Sequence, residues 1–282
     1  MLTEIFCELD DFCIKFKESL IGLITSCRMF LSEIMTILVS FHLSGYRTFK
    51  NYYHFVKTYQ LNYFPNLLSY NRIVELIPSC AAALTTFLLK MKKGENTGIS
   101  FIDSTKLVVS HNKRIPSHKV FKTLAKRSKD SVGWYYGFKL HLLINHLGEI
   151  ISFRITPANI DERVAAKDLV RFITGKVYAD KGYVSAKLKS ELKNVDFIAR
   201  PKNNMLKNQL SEFDKCFLRK RALIETVNEH LKHVCQVEHS RHRSIHNFFV
   251  HVISAITAYS FIKNKPSIGS IPLPNKNLAH IF

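Results

Sequence analysis

Val177-Tyr178-Ala179-Asp180-Lys181-Gly182-Tyr183 sets an acid directly behind a short apolar run. Lys176 to Ala179 predicts a buried strand, and Gly182 breaks it at once. The acid therefore stands where a strand leaves its sheet, at the carboxyl edge where open α/β sheets place their chemistry. A lone Asp-x-Gly is also an ordinary turn with a helix after it. Company changes that reading. Asp103 interrupts the apolar run Ile99-Ser100-Phe101-Ile102, and Glu225 lies mid-helix with Arg221 and Lys232 around it. Carboxylates on a strand, a strand end and a helix can together hold a pair of divalent metals, and oxygen ligands suit Mg²⁺ or Mn²⁺.

With 282 residues the chain is long enough for a substantial core and for two domains. An apolar share of 46% and an aromatic share of 12% exclude a disordered chain. Lys and Arg outnumber Asp and Glu by 41 to 22, a formal charge of +19. That balance points to a polyanionic partner, nucleic acid before anionic membrane. A membrane span fits less well. Ile73 to Met91, the most apolar region, contains Glu75 and Pro78 and falls short of an uncharged run of about 20 residues. Cys7-Glu8-Leu9-Asp10-Asp11 is acidic where a signal peptide would be basic. Cys7, Cys13, Cys27, Cys80, Cys216 and Cys235 are scattered without a CxxC pair, the pattern of reduced thiols, and the expected location is the cytoplasm.

Residues 1 to 93 read as a helical N-terminal domain. Ser32 to Leu43 repeats apolar residues at helical spacing (Ile34, Ile37, Leu38, Phe41), stops at Ser44-Gly45 and restarts over Tyr46 to Tyr59 with Arg47, Lys50, His54 and Lys57. This fits a helix-turn-helix whose second helix enters the major groove, and equally a helical pair with a solvated basic face. Tyr70 to Lys92 is a further helix with a kink expected at Pro78. Asp10 and Asp11 read as a solvated helix face.

Lys92-Lys93-Gly94-Glu95-Asn96-Thr97-Gly98 is polar and bracketed by glycines, a linker, and strands follow it. Ile99 to Val109 is the first; Trp134 to Asn145 and Glu149 to Thr156 pair through His146-Leu147-Gly148 as a hairpin. A helix over Ile160 to Ile173 leads through Gly175 into the strand before Asp180. Val184 to Lys193 is a helix, Asp196 to Ala199 a last short strand, and the rest is helical to Ile262. That order is the order of a ribonuclease-H-like domain over residues 99 to 263. The fold expected is α/β, a mixed sheet with flanking helices behind an all-α N-terminal domain. In it the first and fourth strands lie side by side and bring Asp103 to Asp180. Residues 264 to 282 read as a mobile tail.

Between the first two strands, His111 to Lys129 carries Lys113, Arg114, Lys119, Lys122, Lys126, Arg127 and Lys129 with no acid before Asp130. It reads as a basic loop, which beside a metal site would offset phosphate repulsion and steer DNA in, and otherwise as a solvated one. From Arg221, the helical period sets Glu225, Asn228 and Lys232 on nearly one line, with Ile224, Val227, Leu231 and Val234 as an adjacent apolar stripe. Such a helix can pack on a sheet while aiming Glu225 at the two aspartates. An Arg–Glu–Lys face can also be plain i,i+4 pairing, and Glu229 is the rival third acid. His230, His233, His239, His242, His246 and His251, with Cys235, match no standard zinc spacing. Arg241 and Arg243 beside His242 read as a DNA contact or as an anchor at a helix start.

Arg221-x3-Glu225-x6-Lys232 matches three of the four positions of the Tyr-x2-Arg-x3-Glu-x6-Lys signature of IS4-like DDE transposases, with Leu218 at the tyrosine position. More of the chain resembles the IS982 family of insertion-sequence transposases. The resemblance runs through Phe6-Cys7-Glu8-Leu9-Asp10-Asp11-Phe12, Ile102-Asp103-Ser104-Thr105 and Gly133-Trp134-Tyr135-Tyr136-Gly137-Phe138-Lys139-Leu140-His141. It continues in Thr156-Pro157-Ala158-Asn159, Ala179-Asp180-Lys181-Gly182-Tyr183, Arg221-Ala222-Leu223-Ile224-Glu225-Thr226 and Glu238-His239-Ser240-Arg241-His242-Arg243-Ser244. It implies a catalytic, metal-binding triad of Asp103, Asp180 and Glu225 with two Mg²⁺ or Mn²⁺ ions, on a ribonuclease-H-like fold. The implied partner is double-stranded DNA, both terminal inverted repeats and target, handled by a homodimer or larger assembly on the nucleoid of a bacterial cytoplasm. Arg221 and Lys232 would hold phosphate near the scissile bond. With 44 residues between Asp180 and Glu225, the large β insertion of some relatives has no room. A stand-alone ribonuclease-H-like nuclease and a non-catalytic DNA-binding relic are the competing readings.

Overall fold

The computed structural model describes residues 1–20, 27–201, 210–238 and 242–269. Its sheet is mixed. β1 (Ile99–Ser110) pairs antiparallel with β3 (Trp134–Asn145) on one side and parallel with β5 (Gly175–Ala179) on the other. β6 (Val195–Ala199) continues parallel beyond β5, while β2 (Lys126–Lys129) and β4 (Ile150–Pro157) both pair antiparallel with β3. The first strand of the expected order thus adjoins the strand that leads into Asp180, as anticipated. β5 is apolar on both sides because helices cover both faces of the sheet at that point.

Side chains alternate across each strand, which sorts the residues by face. Phe101, Leu107, Phe138, Leu140, Leu142 and Tyr178 belong to the larger core, and Ile102, Leu143, Val177 and Ala179 to the smaller one. The smaller core lies under α7 (Glu162–Leu169) and α8 (Ala186–Glu191), both capped by their preceding residues, Asp161 and Ser185. The larger core takes α9 (Glu212–Lys220), α10 (Ala222–Glu229) and α11 (Ile245–Ser260), and continues into the helices before the sheet.

Those helices are α1 (Leu2–Lys15), α2 (Lys17–Leu20), α3 (Leu31–Phe41), α4 (Phe49–Tyr59), α5 (Tyr70–Leu76) and α6 (Ala81–Met91). α11 packs on α3 and α6 and also stacks Phe248 on Phe138 of β3, with ring centroids 5.2 Å apart. One apolar core therefore runs from the first helices to the sheet. The α3–α4 pair forms with Gly45 in the left-handed region, and Arg47, Lys50, His54 and Lys57 are exposed. Asp10 is not merely solvated: its Oδ1 accepts a 2.6 Å hydrogen bond from Ser32 Oγ, tying α1 to α3.

At Pro78 the expected helix over Tyr70–Lys92 turns into a short 3₁₀ stretch, Ile77–Cys80, because the ring removes an N–H from the helical ladder. Tyr70–Met91 is long and apolar enough, by length and composition, to cross a membrane. Here Ile73, Cys80, Leu84 and Phe87 are buried in the shared core.

Two further expectations need correction. The segment after β1 is not a plain loop: Asn112–Arg114 forms a 3₁₀ turn, and Lys126–Lys129 is a strand on β3. Its four residues, Lys-Arg-Ser-Lys, carry no apolar alternation, and charged residues are what an edge strand tolerates. Nor is Arg221–Lys232 one regular helix. Arg221 is the junction between α9 and α10, Glu225 sits in the first turn of α10, and His230–Val234 is π-helical. The wider turn carries Val234 out to solvent, 46% exposed, and buries Cys235 in its place. Asn228, expected on the polar face, is buried.

Candidate active site

Phe217 of α9 stacks on Tyr178 of β5 at 5.5 Å and on Phe101 of β1 at 6.5 Å between ring centroids. Phe101 and Tyr178 are themselves paired across the parallel ladder. Two residues further along each strand, on the same face, stand Asp103 and Asp180. Four residues further along the helical axis stands Arg221. Two strand residues span roughly 6.6 Å and four helical residues roughly 6 Å, so stacking Phe217 on the aromatic pair sets Arg221 over the aspartate pair.

The distances follow. Arg221 Nη1 lies 3.8 Å from Asp103 Oδ2, Nη2 lies 3.9 Å from Asp180 Oδ1, and Nη2 donates a 2.6 Å hydrogen bond to Glu225 Oε1. The three acids anticipated from sequence therefore converge on one guanidinium. They differ in exposure: the side chain of Asp103 is 21% open, that of Asp180 37%, and that of Glu225 55%. Burial pushes the Asp103 carboxyl up to about 7, against the opposing pull of Arg221 and of the Ser104 N–H, and with Glu162 and Glu225 adding repulsion.

The anchor beneath this arrangement is Asp214. Its carboxylate accepts from Lys176 Nζ at 2.8 Å, Tyr178 Oη at 2.9 Å and Ser211 Oγ at 2.6 Å, pinning the start of α9 to β5. Burial alone would raise Asp214, but hydrogen bonds from Lys176, Ser211 and Tyr178 outweigh it and hold the carboxyl below its usual value.

Glu162 is the acid that sequence reasoning missed. Its Oε1 accepts a 2.7 Å hydrogen bond from Ser104 Oγ and lies 3.4 Å from Lys139 Nζ. The signal was faint, an acid in the first turn of a helix after an Asp cap. The buried Tyr183 hydroxyl has no hydrogen-bond partner among the described residues, and its pKa is raised well above normal by burial and by the charges of Glu162, Asp103 and Asp180. Lys139 and His141 lie on the other face of the sheet from Asp103: Lys139 reaches Glu162, and His141 Nε2 is 2.8 Å from Thr156 Oγ1.

The basic residues fall in separate places. Lys113, Arg114, Lys119, Lys122, Lys126 and Arg127 are all exposed and make no ion pair among the described residues. Their segment leaves β1 after Ser110, seven residues or about 23 Å along the strand from Asp103, and Lys126 and Arg127 then pair with β3. Arg127 stacks on exposed Trp134, 5.3 Å from the ring centre. Lys232 is drawn aside to Glu238 Oε2 at 3.3 Å, and the other oxygen of Glu238 accepts from the Val108 N–H. Arg243 is exposed just before Ser244, which caps α11, and Arg241 lies outside the described residues. Glu229 makes no ion pair with Arg221.

Residues 93–245, more than half of the chain and all six strands, match the transposase DDE domain family. The chain belongs to that family. DDE transposase domains are a family of metal-dependent polynucleotidyl transferases, and Asp103, Asp180 and Glu225 all fall within the matched span. No curated protein matches the chain.

The donor set of this DDE domain is all oxygen, which suits a hard divalent cation. Burial raises the Asp103 carboxyl in spite of Arg221, and a cation brought to it would favour the ionised form. That donor chemistry is compatible with such a cation. Among the described residues, however, no three His, Cys, Asp or Glu side chains stand grouped as a ready metal site, because the triad is spread around Arg221.

Proposed function

We propose that this chain is an insertion-sequence transposase of the IS982 family, which nicks the ends of its element and joins the freed 3′-OH to target DNA. The observation that carries this is the convergence of Asp103, Asp180 and Glu225 on Arg221, from a strand, a strand end and a helix. Strand order and the β1–β5 pairing support a ribonuclease-H-like catalytic domain over 99–263, with residues 1–93 as a helical domain that contributes to DNA binding.

Asp103, Asp180 and Glu225 would hold two Mg²⁺ or Mn²⁺ ions, which supply charge to activate the attacking oxygen and to stabilise the leaving one. The chain's own part is position and electrostatics. The stacked Phe101, Tyr178 and Phe217 fix the spacing of the acids from below. Glu162, through Ser104 and Lys139, braces the strand beside Asp103. Arg221 presents a planar fork suited to a phosphate. The exposed cations from Lys113 to Arg127 would track the backbone of end and target duplexes away from the scissile bond, and Arg243 would add a contact. Two ends must meet, so the working form is a dimer or larger, acting on the nucleoid in a bacterial cytoplasm.

The test is cleavage and joining with duplexes taken from the DNA flanking the gene, in Mg²⁺ or Mn²⁺. Wild type should nick the end and give strand-transfer products, while Asp180→Asn should lose at least 10²-fold in rate. Nicks without joining would favour a nuclease. Asp180→Asn with wild-type activity would sink the triad.

A further inference from the structure

Among the described residues, Asp103, Asp180 and Glu225 have no ion-pair partner other than Arg221. The three contacts are unequal. Only Glu225 is within hydrogen-bond reach of the guanidinium, at 2.6 Å, while the aspartates at 3.8 and 3.9 Å are held by charge alone. Arg221 is also the least exposed member of the group, with 12% of its side chain open. Arginine cannot shed its proton, so this positive charge is permanent.

A divalent cation taken up by the same carboxylates would compete for the charge of Glu225, one of whose oxygens, Oε1, Arg221 now engages. The charges add simply. With all three acids ionised, the carboxylates and one guanidinium sum to −2; two divalent cations bring the same group to +2, with Arg221 repelled from its neighbours. A phosphate diester offers the guanidinium a bidentate partner and returns negative charge to the cluster. Among the described residues the guanidinium makes one hydrogen bond, to Glu225, so a single short contact has to be exchanged for the phosphate.

We infer that Arg221 is a resident counter-ion: it competes with divalent cations for Asp103, Asp180 and Glu225 and yields when a DNA phosphate takes its guanidinium. Metal loading and DNA binding are thereby linked, each favouring the other. This rests on the triad reading of the proposed function and adds a role for Arg221 before any bond is cut.

The experiment is Mn²⁺ binding by the full chain, read from the spectrum of unbound Mn²⁺, with and without a duplex from the flanking DNA. Without DNA, Arg221→Gln should bind Mn²⁺ about tenfold more tightly than wild type, and Arg221→Lys, which keeps the charge, should stay near wild type. Added duplex should tighten Mn²⁺ binding by wild type and leave Arg221→Gln unchanged. Equal or weaker binding by Arg221→Gln, with Arg221→Lys and Asp180→Asn behaving as a filled and a broken site should, would overturn the counter-ion role alone. Equal Mn²⁺ binding by wild type, Arg221→Gln and Asp180→Asn would remove the metal site itself, and the proposed function with it.

Discussion

Ser104 Oγ donates a 2.7 Å hydrogen bond to Glu162 Oε1, tying the neighbour of Asp103 to the first turn of α7. The other Glu162 oxygen reaches toward the turn behind Asp180, where a Cβ added at Gly182 would lie 3.4 Å from it. One side chain therefore spans the two strands that present the aspartates. Glu162→Ala should slow metal-dependent cleavage of end DNA by about 10- to 100-fold, since displacements on the order of 1 Å at a reacting centre cost that much. Glu162→Gln, which keeps an acceptor for Ser104, should lose far less. Single-turnover rates beside melting temperatures separate positioning from stability. Wild-type rates for Glu162→Ala would rule the brace out.

Asp214 makes a different kind of demand. It is buried, and it collects Lys176, Tyr178 and Ser211 at one point between β5 and α9. Asp214→Ala would leave the Tyr178 hydroxyl unpaired in the core, whereas Lys176 keeps Asp196 at 3.4 Å and a third of its side chain in water. The expected loss is about 2–4 kcal/mol, below the full value for breaking a wholly buried pair. Urea denaturation measures it directly. A change under about 0.5 kcal/mol would mean that α9 is held by Phe217 alone.

Much of this was legible in the sequence, for identifiable reasons. β3 runs over Trp134–Asn145 as expected, because aromatic and aliphatic residues fill it to a sharp end at the turn before Gly148. β5 ends at Ala179 because Asp180 and the Gly182 turn stop the apolar run. β2 was hidden: Lys-Arg-Ser-Lys has no pattern of its own, and only the edge of β3 makes it a strand. The π-helical turn was hidden as well, since period counting assumes one pitch throughout, and it is what moves Val234 outward and buries Cys235. Glu162 lies 58 residues from Ser104, and a single hydrogen bond across such a span leaves no trace in local pattern.

Gly137 shows a steric requirement that the sequence only hinted at. An added Cβ would lie 2.0 Å from the Leu107 carbonyl oxygen of β1, next to the register shift between Val108 and Ser110. Backbone, unlike a side-chain tip, cannot swing aside. Gly137→Ala should therefore part β1 from β3 and cost about 1–3 kcal/mol, the range for overpacking. Gly133→Ala is not a fair control, because its φ of 147° lies in the region that favours glycine. Melting curves of Gly137→Ala against wild type decide the matter, and an unchanged midpoint would show that the strands can shift freely.

Buried histidines set the acid limit of the fold. His42 donates through Nδ1 to the Cys235 carbonyl at 2.6 Å and packs 4.5 Å from the ring of His251, which lies 4.8 Å from His242. Burial lowers His42 from 6.5 to about 4; the Cys235 carbonyl opposes the shift and His242 adds to it. Burial lowers His242 to about 4 too, and His141 likewise, with Lys139 and Arg154 contributing. Between pH 6.5 and 4 these rings take up protons in the unfolded chain but not in the folded one, so their contribution to stability is complete above about 6.5 and is lost as the pH drops toward 4. Asp103, raised to about 7, works in the opposite direction and offsets one histidine of the three. Each histidine contributes a slope of about 1.4 kcal/mol per pH unit in that window. His42→Gln and His141→Gln should each remove one proton's worth of slope from unfolding free energies measured across it. A wild-type stability that stays flat from pH 7 to 4.5 would mean that these rings take up protons without unfolding the chain.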